Sequence, residues 1–296
     1  MSSSTFDFVD AHHHLWDLDV IDYPWLNARG EKRFFGDPTA IQKNYLPADF
    51  LGESSYYKPS QSVHVQVGVA TGSALSETAW LQSLKDVPSA IVAFAELDSQ
   101  DLPGLLDEQL CHDRVRGIRQ IVGRHPAEDL KHGSDALLDN PQWLKGLRRL
   151  ADMNLSFDLQ LIPPQMERAY EVLKRVPSLK VVLCHCGSPW DQSAQGLQNW
   201  REGLRRFKQL PNVYCKVSGL GMFNPDWETA QLRPIVLDVI DIFGPERTMF
   251  GSNFPVDKLY RSYDTLWTAY DEITQSFSPT EKQQLFVETA KAFYRI

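Results

Sequence analysis

Two histidines separated by one residue near the amino terminus are the side chains best suited to chemistry in this sequence. An apolar run that begins at Phe6 ends in His12, His13 and His14. Alternate side chains of a strand share a face, so His12 and His14 point one way and His13 points the other. Neutral imidazole is a good zinc ligand, and the pair could therefore hold one divalent cation. The alternative is a tag remnant or a surface cluster, but the flanking residues are Phe, Val, Leu and Trp rather than Gly and Ser.

Polar side chains also close most of the other short apolar runs that are typical of buried strands. They are His64, Gln66, Arg119, Asp158, Gln160, His185, Lys216, Ser218, Asn253 and Asp257. A single histidine in an apolar strand is more often a hydrogen-bonded core residue than a ligand, and this alternative stays open for His64. A buried Arg119 needs an anionic partner, which is either an internal carboxylate or a carboxylate of the substrate. A small acidic ligand would also explain the nearby Lys216.

The apolar runs alternate with segments of helical periodicity at a spacing of roughly 35 residues. The eight predicted strands are residues 8–11, 63–67, 91–95, 115–122, 156–162, 181–185, 213–217 and 248–251. This order predicts an α/β fold, a single (β/α)8 TIM barrel of residues 1–296. The carboxyl ends of its strands would meet at one face and bring the polar side chains together. An open doubly wound sheet is the alternative, but no Gly-rich phosphate loop follows the first strand.

Two segments depart from an even repeat of strand and helix. The stretch 15–62 is far longer than a normal strand-to-helix link, and it contains Trp25. It begins at the catalytic end of the predicted barrel, so we expect it to cover the site, although packing over the rim without substrate contact stays open. Residues 279–294 form one more predicted helix, with Ser278 as its N-cap, which we expect to pack on the barrel exterior.

Composition excludes several classes of function. The 296 residues carry a net charge of −8, and no basic stretch with interleaved aromatic residues suggests a nucleic-acid partner. No apolar run approaches the roughly 18 residues that span a bilayer, and the first residues lack the features of a signal peptide. The four cysteines form no disulfide framework, and no second pair accompanies Cys184 and Cys186 to complete a zinc knuckle. We therefore expect a cytoplasmic protein with a small-molecule substrate, and a homodimer stays open because exterior helices of barrels often pair.

The residues at the strand ends resemble those of the amidohydrolase superfamily. Three motifs carry the resemblance: Asp10-x-His12-x-His14 on the first strand, His185 closing the sixth strand, and the Gly-Ser-Asn sequence at 251–253. The matching stretches span nearly the whole chain and are most similar to the amidohydrolase-2 branch, which contains lactonases of sugar acids and aromatic acids. The resemblance implies a distorted (β/α)8 barrel that opens a lactone. It also implies one divalent metal ion, zinc by preference, on His12, His14 and His185.

Two positions depart from the pattern of the superfamily. Binuclear members use a strand-four lysine or glutamate and a strand-five histidine, whereas this chain has Arg119 and no such histidine, which argues against a two-metal site. Mononuclear members use a strand-eight aspartate as metal ligand and proton acceptor, and this chain has Asn253 there. An amide oxygen can bind a metal or orient a water, but it cannot act as a base near neutral pH. The resemblance therefore also leaves metal-independent action open.

The resulting hypothesis is hydrolysis of a small lactone that carries a carboxylate or several hydroxyl groups. Arg119, helped by Lys216, would hold a substrate anion, and His185 is the first candidate for the general base, with Asp257 as the second. The remaining predicted contacts with the ring or the attacking water come from His64, Gln66, Ser218 and Trp25. Without a metal, the imidazoles would donate hydrogen bonds to the oxyanion. Three rivals stay open: a metal-dependent non-oxidative decarboxylase, an amidase, and a degenerate barrel that only binds a ligand.

Overall fold

The computed structural model describes residues 7–70, 72–132 and 135–296. Within these ranges, eight parallel strands neighbour one another in chain order. The strands are β1 (Val9–His13), β2 (Gln61–Val65), β3 (Ala90–Ala93), β4 (Val115–Ile118), β5 (Ser156–Leu159), β6 (Val181–Leu183), β7 (Val213–Val217) and β8 (Thr248–Phe250). Helices lie between the strands, which confirms the predicted (β/α)8 barrel.

The α-helices surround the strands, and the longer ones bury an apolar face. They are α1 (Pro24–Asn27), α2 (Pro47–Leu51), α3 (Ala74–Ser83), α4 (Leu102–Gln109), α5 (Pro126–His132), α6 (Pro141–Asp152), α7 (Met166–Leu173), α8 (Ala194–Lys208), α9 (Thr229–Phe243), α10 (Tyr263–Ile273), α11 (Pro279–Gln283) and α12 (Thr289–Tyr294). In α6, Trp143, Leu147 and Leu150 are buried, as their spacing predicts. Each such burial contributes roughly 1.5–3 kcal/mol, which holds the helix on the barrel. No helix in the described ranges has the length and apolar character required to cross a bilayer.

The barrel closes between β8 and β1 through loop backbone rather than through paired strands. Asn253 N donates to His12 O at 2.6 Å, and His14 N donates to Phe254 O at 2.8 Å. A Cβ on Gly251 would lie 2.6 Å from the Cβ of His12, so glycine permits this close approach. The closure therefore sets Asn253 directly against His12 and His14.

Several strands end earlier than the sequence predicts. β4 stops at residue 118 and β5 at residue 159, although apolar residues continue beyond both. β6 stops at Leu183 and the chain enters left-handed backbone, with φ of 53° at His185 and 56° at Cys186. Apolar residues in the short connections of a barrel are also buried, so hydrophobicity alone overestimates strand length. His185 thus lies in the turn Cys184–Gly187 and is not the last residue of a strand.

The long segment after β1 contains short elements and folds back onto the barrel mouth. It includes α1, α2 and a 3-10 turn at Thr39–Ile41, and an antiparallel bridge joins Trp16 to Tyr45. The indole N–H of Trp25 donates to Val67 O at 2.8 Å, just beyond the end of β2. This bond fixes the segment at the face where the carboxyl ends of the strands lie.

The carboxyl-terminal helix is more deeply anchored than the sequence suggests. α11, a π-helical turn at Gln284–Glu288 and α12 follow one another over the predicted residues 279–294. Tyr294 is fully buried, and its hydroxyl donates to the Asp158 carboxylate of β5 at 2.9 and 3.0 Å. The expectation that this helix packs on the barrel exterior is therefore incomplete, because its last aromatic residue reaches a buried charge.

Candidate active site

A cavity of about 630 Å³ opens at the carboxyl ends of the strands. Its lining includes six residues that the sequence predicts for the site: His14, Trp25, Gln66, Arg119, His185 and Asn253. The other five predicted residues are buried outside this lining: His12, His64, Lys216, Ser218 and Asp257. The barrel geometry thus brings polar side chains from distant parts of the sequence to one face.

Three histidines form one cluster at this cavity. The ring centroids of His12 and His14 lie 5.1 Å apart, and those of His12 and His185 lie 4.6 Å apart. His13 points to the other side of β1, where its Nε2 lies 3.0 Å from Ser62 Oγ. The alternation of side chains along β1 therefore separates the two histidines of the cluster from one that is engaged in the core.

Hydrogen bonds decide which atoms of this cluster carry lone pairs. His14 Nδ1 donates to Val65 O at 2.7 Å, since a carbonyl can only accept, and Nε2 therefore carries the lone pair of the neutral ring. That lone pair faces Asn253 Oδ1 at 3.3 Å. Neither ring nitrogen of His12 has a hydrogen-bond partner among the described residues. The cluster is therefore rich in acceptors, and a donor or a cation would complete it.

Burial keeps these imidazoles neutral. It lowers the pKa of His14 to about 3, and the charge of Arg119 adds to the effect. The pKa values of His12 and His185 fall well below the usual 6.5, through burial first and then through Lys216 for His12 and Arg119 for His185. Neutral imidazoles keep the lone pairs that a metal ion or a proton-donating ligand requires.

His185 is held in a tight turn by the end of β7. Its Nδ1 lies 3.0 Å from the buried Ser218 Oγ. A Cβ on Gly219 would lie 2.4 Å from the same Nδ1, and the φ of Gly219 is +65°, so the position requires glycine. Ser218 therefore orients His185, which differs from the predicted contact of Ser218 with the substrate. This arrangement leaves the other ring nitrogen of His185 for chemistry at the cavity.

His64 supports the end of β1 and is absent from the cavity lining. Leu15 N donates to His64 Nδ1 at 3.1 Å, so the neutral ring carries its proton on Nε2. That Nε2 lies 3.9 Å from Glu77 Oε1, and both side chains are buried. His64 therefore fixes the backbone that follows His14, and its predicted part in orienting the substrate or a water stays a prediction.

Lys216 is buried beside an internal carboxylate rather than exposed in the cavity. Its Nζ lies 2.6 Å from Asp158 Oδ2, and neither side chain is exposed to solvent. The Tyr294 hydroxyl donates to the same carboxylate. The Asp158 carboxylate thus compensates the charge of the ammonium group inside the barrel, and the predicted help of Lys216 in holding a substrate anion stays a prediction.

Arg119 borders the cavity without a carboxylate beside it. Its guanidinium donates to Gln160 Oε1 at 3.3 Å and to the backbone oxygen of Gln66, and its Nε has no partner among the described residues. None of the ion pairs within the described part of the chain includes Arg119. Arginine stays charged in proteins, so the cavity contains a buried positive charge that forms no ion pair with the described residues.

Two cavity features lie outside the set of residues that the sequence predicts for the site. Arg124, in the loop after β4, borders the cavity, and its guanidinium forms no hydrogen bond or ion pair with the residues described in the structure. Phe34, from the long segment after β1, forms part of the wall and stacks on His125 at a centroid distance of 5.3 Å. The available signal for Arg124 was its place in a strand-to-helix loop, which in a barrel lies at the catalytic face.

Asp257 stands behind Asn253. Its Oδ2 accepts a hydrogen bond from Asn253 Nδ2 at 2.6 Å, and its Oδ1 accepts one from Gly221 N at 3.1 Å. Burial raises the pKa of the Asp257 carboxyl to about 7, and these hydrogen bonds lower it in part. Such a pKa suits a base at neutral pH, but both oxygens are engaged away from the cavity. The geometry therefore favours His185 over Asp257 as the group beside the substrate.

The chain belongs to the amidohydrolase family, because residues 9–296 match the family described as Amidohydrolase. It is 39% identical to y4mH of Sinorhizobium fredii, an uncharacterized protein, over 99% of this chain and 100% of that protein. It is 28% identical to an L-fucono-1,5-lactonase of Burkholderia multivorans, over 97% of this chain and 96% of that protein. A zinc-bound amidohydrolase structure from Burkholderia multivorans has a TM-score of 0.81 and 26% identity, and the match covers 98% of this chain and 99% of that chain.

Amidohydrolases are generally metal-dependent, and the donors of the cluster can be compared with that requirement. Among the described residues, no group of three or more His, Cys, Asp or Glu side chains is arranged to hold a metal ion. Two imidazoles and an amide oxygen nevertheless converge, and the unpartnered nitrogens of His12 and the facing acceptors of His14 and Asn253 suit a cation. The residues therefore fit one divalent ion bound by neutral donors, without a carboxylate in direct contact.

Proposed function

We propose that this protein is a lactonase that hydrolyses a small lactone carrying an anionic group. The observation that carries the proposal is the buried guanidinium of Arg119, without a carboxylate beside it, in the same cavity as the histidine cluster. Two relatives are named L-fucono-1,5-lactonase, and a third, which matches 48% of this chain, is named L-rhamnono-gamma-lactonase. These names support ring opening of a lactone as the reaction class.

Two guanidinium groups would hold the substrate anion. Arg119 offers an unpartnered Nε, and Arg124 borders the same cavity. Because like charges repel, a carboxylate bound between them would relieve the repulsion and form charge-assisted hydrogen bonds. Trp25 and Phe34 border the cavity as well and provide flat apolar surface for a ring. A small ring with a carboxylate substituent satisfies both kinds of surface.

His185 is the proposed general base. It takes a proton from the attacking water as the water oxygen bonds to the acyl carbon, and it returns the proton to the ring oxygen as the acyl–oxygen bond breaks. Burial and then Arg119 depress the pKa of His185, and a carboxylate bound at Arg119 offsets the second effect. Substrate binding thus makes His185 a stronger base, while Ser218 keeps the ring oriented through Nδ1.

His12, His14 and the carbonyl oxygen of Asn253 are the proposed holders of one divalent cation, zinc by preference. When bound, this cation would polarise the ester carbonyl of the lactone. The acceptor-rich cluster supports this assignment, as does the zinc-bound structure of the Burkholderia multivorans amidohydrolase. Metal-independent action is the alternative, in which an imidazole N–H of the cluster donates to the oxyanion.

We also propose that the protein works in the cytoplasm. All four cysteines are free, and Cys184, Cys186 and Cys215 are buried. Free thiols are typical of reducing compartments, where disulfides rarely persist. Fractionation of cells that produce the full chain should recover it with cytosolic enzymes, and recovery in a secreted fraction would contradict the assignment.

Acid release from a panel of lactones tests the reaction class. The panel contains sugar lactones and aromatic lactones, each with and without a carboxylate, and a pH indicator follows turnover. We expect acid release from the carboxylated members, a loss of about 100-fold in rate with His185→Gln, and an unchanged rate with His112→Gln, which lies outside the cavity. Release of carbon dioxide would favour a decarboxylase, and binding without turnover would favour a ligand-binding barrel.

A further inference from the structure

The pairing of Asn253 with Asp257 carries a second inference about this site. Asn253 adopts left-handed backbone with a φ of 57°, and its N–H donates to His12 O, so its position at the seam is fixed by the main chain. Asp257 N donates to Asn253 O at 3.2 Å, which folds the carboxylate back against the amide. Both side chains are buried, and they meet at 2.6 Å.

The carboxylate decides which way the Asn253 amide points. Asp257 Oδ2 accepts a hydrogen bond from Asn253 Nδ2, so the amide presents its NH2 group to Asp257 and turns its carbonyl oxygen in the opposite direction. The other carboxylate oxygen is occupied by Gly221 N, which holds Asp257 in place. Asn253 Oδ1 consequently faces His14 Nε2 at 3.3 Å.

Two acceptors that face each other at this distance repel unless something positive lies near both. His14 Nε2 is an acceptor because its Nδ1 donates to Val65 O. The unpartnered nitrogens of His12 belong to the same cluster. The chain has thus fixed the amide in the orientation that is unfavourable for a direct contact with His14 and favourable for a cation shared with it.

We propose that Asn253 and Asp257 act together as a divided carboxylate for a divalent cation. Asn253 supplies the neutral oxygen that contacts the ion beside His12 and His14. Asp257 is a positioning residue, which fixes the amide and supplies the negative charge one hydrogen bond away. This inference depends on the cation of the proposed function, but it does not depend on which lactone, if any, the protein opens.

The consequence is a site whose affinity for zinc depends on a residue that does not touch the ion. Partners of metal ligands typically change metal affinity by about 10–100-fold when they are replaced. A directly bound carboxylate, by contrast, adds its full charge to the coordination of the ion. Exchanging the two residues keeps one amide and one carboxylate in the pair and changes only which of them lies next to the cation. The exchange therefore isolates the effect of a direct carboxylate ligand on zinc affinity.

The test measures the zinc affinity of metal-free full-length protein by competition with a chromophoric chelator. Asp257→Asn should weaken zinc binding by about 10–100-fold, because the new amide no longer fixes the Asn253 carbonyl or supplies charge. The double exchange Asn253→Asp with Asp257→Asn keeps one amide and one carboxylate in contact, and it should bind zinc at least about 10-fold more tightly than the wild type. Asp226→Asn, on the exposed surface, is the matched control and should bind like the wild type.

Thermal unfolding of each metal-free variant accompanies the titration. The double exchange preserves the hydrogen bond between positions 253 and 257, so its affinity decides the question even if Asp257→Asn is poorly folded. Equal zinc affinities of the wild type and the double exchange would overturn the proposal, as would a wild type that binds no divalent ion. Neither result would affect acid release from lactones, and failure of acid release would leave the zinc series intact.

Discussion

Lys216 and Arg119 are two buried cations of the same barrel, and they differ in what surrounds them. Lys216 on β7 meets the Asp158 carboxylate at 2.6 Å, and Tyr294 closes the set by donating to that carboxylate. Arg119, just past β4, donates to Gln160 Oε1 and to a backbone oxygen, and no ion pair among the described residues includes it. One charge is neutralised within the chain, and the other stays available to a ligand.

The difference has an energetic meaning. Removal of an ion from water costs several kcal/mol, and a buried pair recovers this cost only when geometry and hydrogen bonds are favourable. Lys216 has that compensation in the folded chain. Arg119 has less compensation, because it forms no ion pair with the described residues. Part of the desolvation cost of its guanidinium is therefore offset only when an anion binds. A buried cation beside a carboxylate therefore indicates structure, and one beside neutral acceptors indicates a binding site.

Replacement of Lys216 tests the structural half of this comparison and should have the largest effect. Lys216→Met leaves Asp158 buried without a cation, and we expect the free energy of unfolding to fall by about 3–5 kcal/mol in urea titrations. The double variant with Asp158→Leu removes both charges and should recover most of that loss. A single variant as stable as the wild type would show that the pair contributes nothing to the fold.

Replacement of Arg119 should reverse the pattern. Arg119→Met should change the free energy of unfolding by less than about 1 kcal/mol, because no carboxylate loses its partner. The kcat/KM for a carboxylated lactone should fall roughly 30-fold to 1000-fold, which corresponds to a loss of about 2–4 kcal/mol in transition-state stabilisation. Arg119→Lys keeps the charge and should lose less activity than the methionine variant. A destabilised protein with normal kcat/KM would assign Arg119 to the fold instead.

Glu77 extends the comparison to a buried carboxyl that forms no ion pair with an arginine or lysine among the described residues. Burial raises its pKa from 4.5 to about 7, although Val67 N donates to it at 3.2 Å. The folded state therefore holds the proton more tightly than the unfolded chain, and stability falls as pH rises from 4.5 through 7. Glu77→Gln removes this dependence. The free energy of unfolding of the variant, relative to that of the wild type, should therefore rise by about 2–3 kcal/mol between pH 5 and pH 8. If the difference in the free energy of unfolding between the two proteins is the same at pH 5 and pH 8, the raised pKa of Glu77 is contradicted.

The sequence predicts the repeat of strands and the convergence of His12, His14 and His185 because local pattern controls both. Alternation along β1 decides which histidines share a face, and the barrel brings strand ends together whatever their separation in the chain. The same logic places Arg119 at the cavity. These features depend on hydrophobic periodicity, which a single sequence contains.

The roles of the remaining side chains depend on contacts that pattern does not contain. Lys216 and Asp158 both close predicted strands, but their pairing depends on packing across the barrel and on Tyr294 at the far end of the chain. His64 lies on the same strand face as Gln66, which borders the cavity, yet its ring nitrogen accepts a hydrogen bond from the backbone N–H of Leu15. Long-range hydrogen bonds of this kind follow from the assembled fold and not from local sequence.

Replacement of Arg124 should have the smallest effect, and it tests whether a cation without an ion pair at the cavity recognises the charge of the substrate. It borders the cavity beside Arg119, and its pKa is lowered by burial, with further contributions from neighbouring arginines. Arg124→Gln should raise KM for a carboxylated lactone by about 10-fold, or about 1.4 kcal/mol, with kcat nearly unchanged. The reason is that Arg124 would bind the substrate anion and would take no part in the proton transfer by His185. KM for the corresponding uncharged amide should not change. An equal rise for both substrates would mean that Arg124 shapes the cavity wall and does not recognise charge, which would leave Arg119 as the proposed contact of the anion.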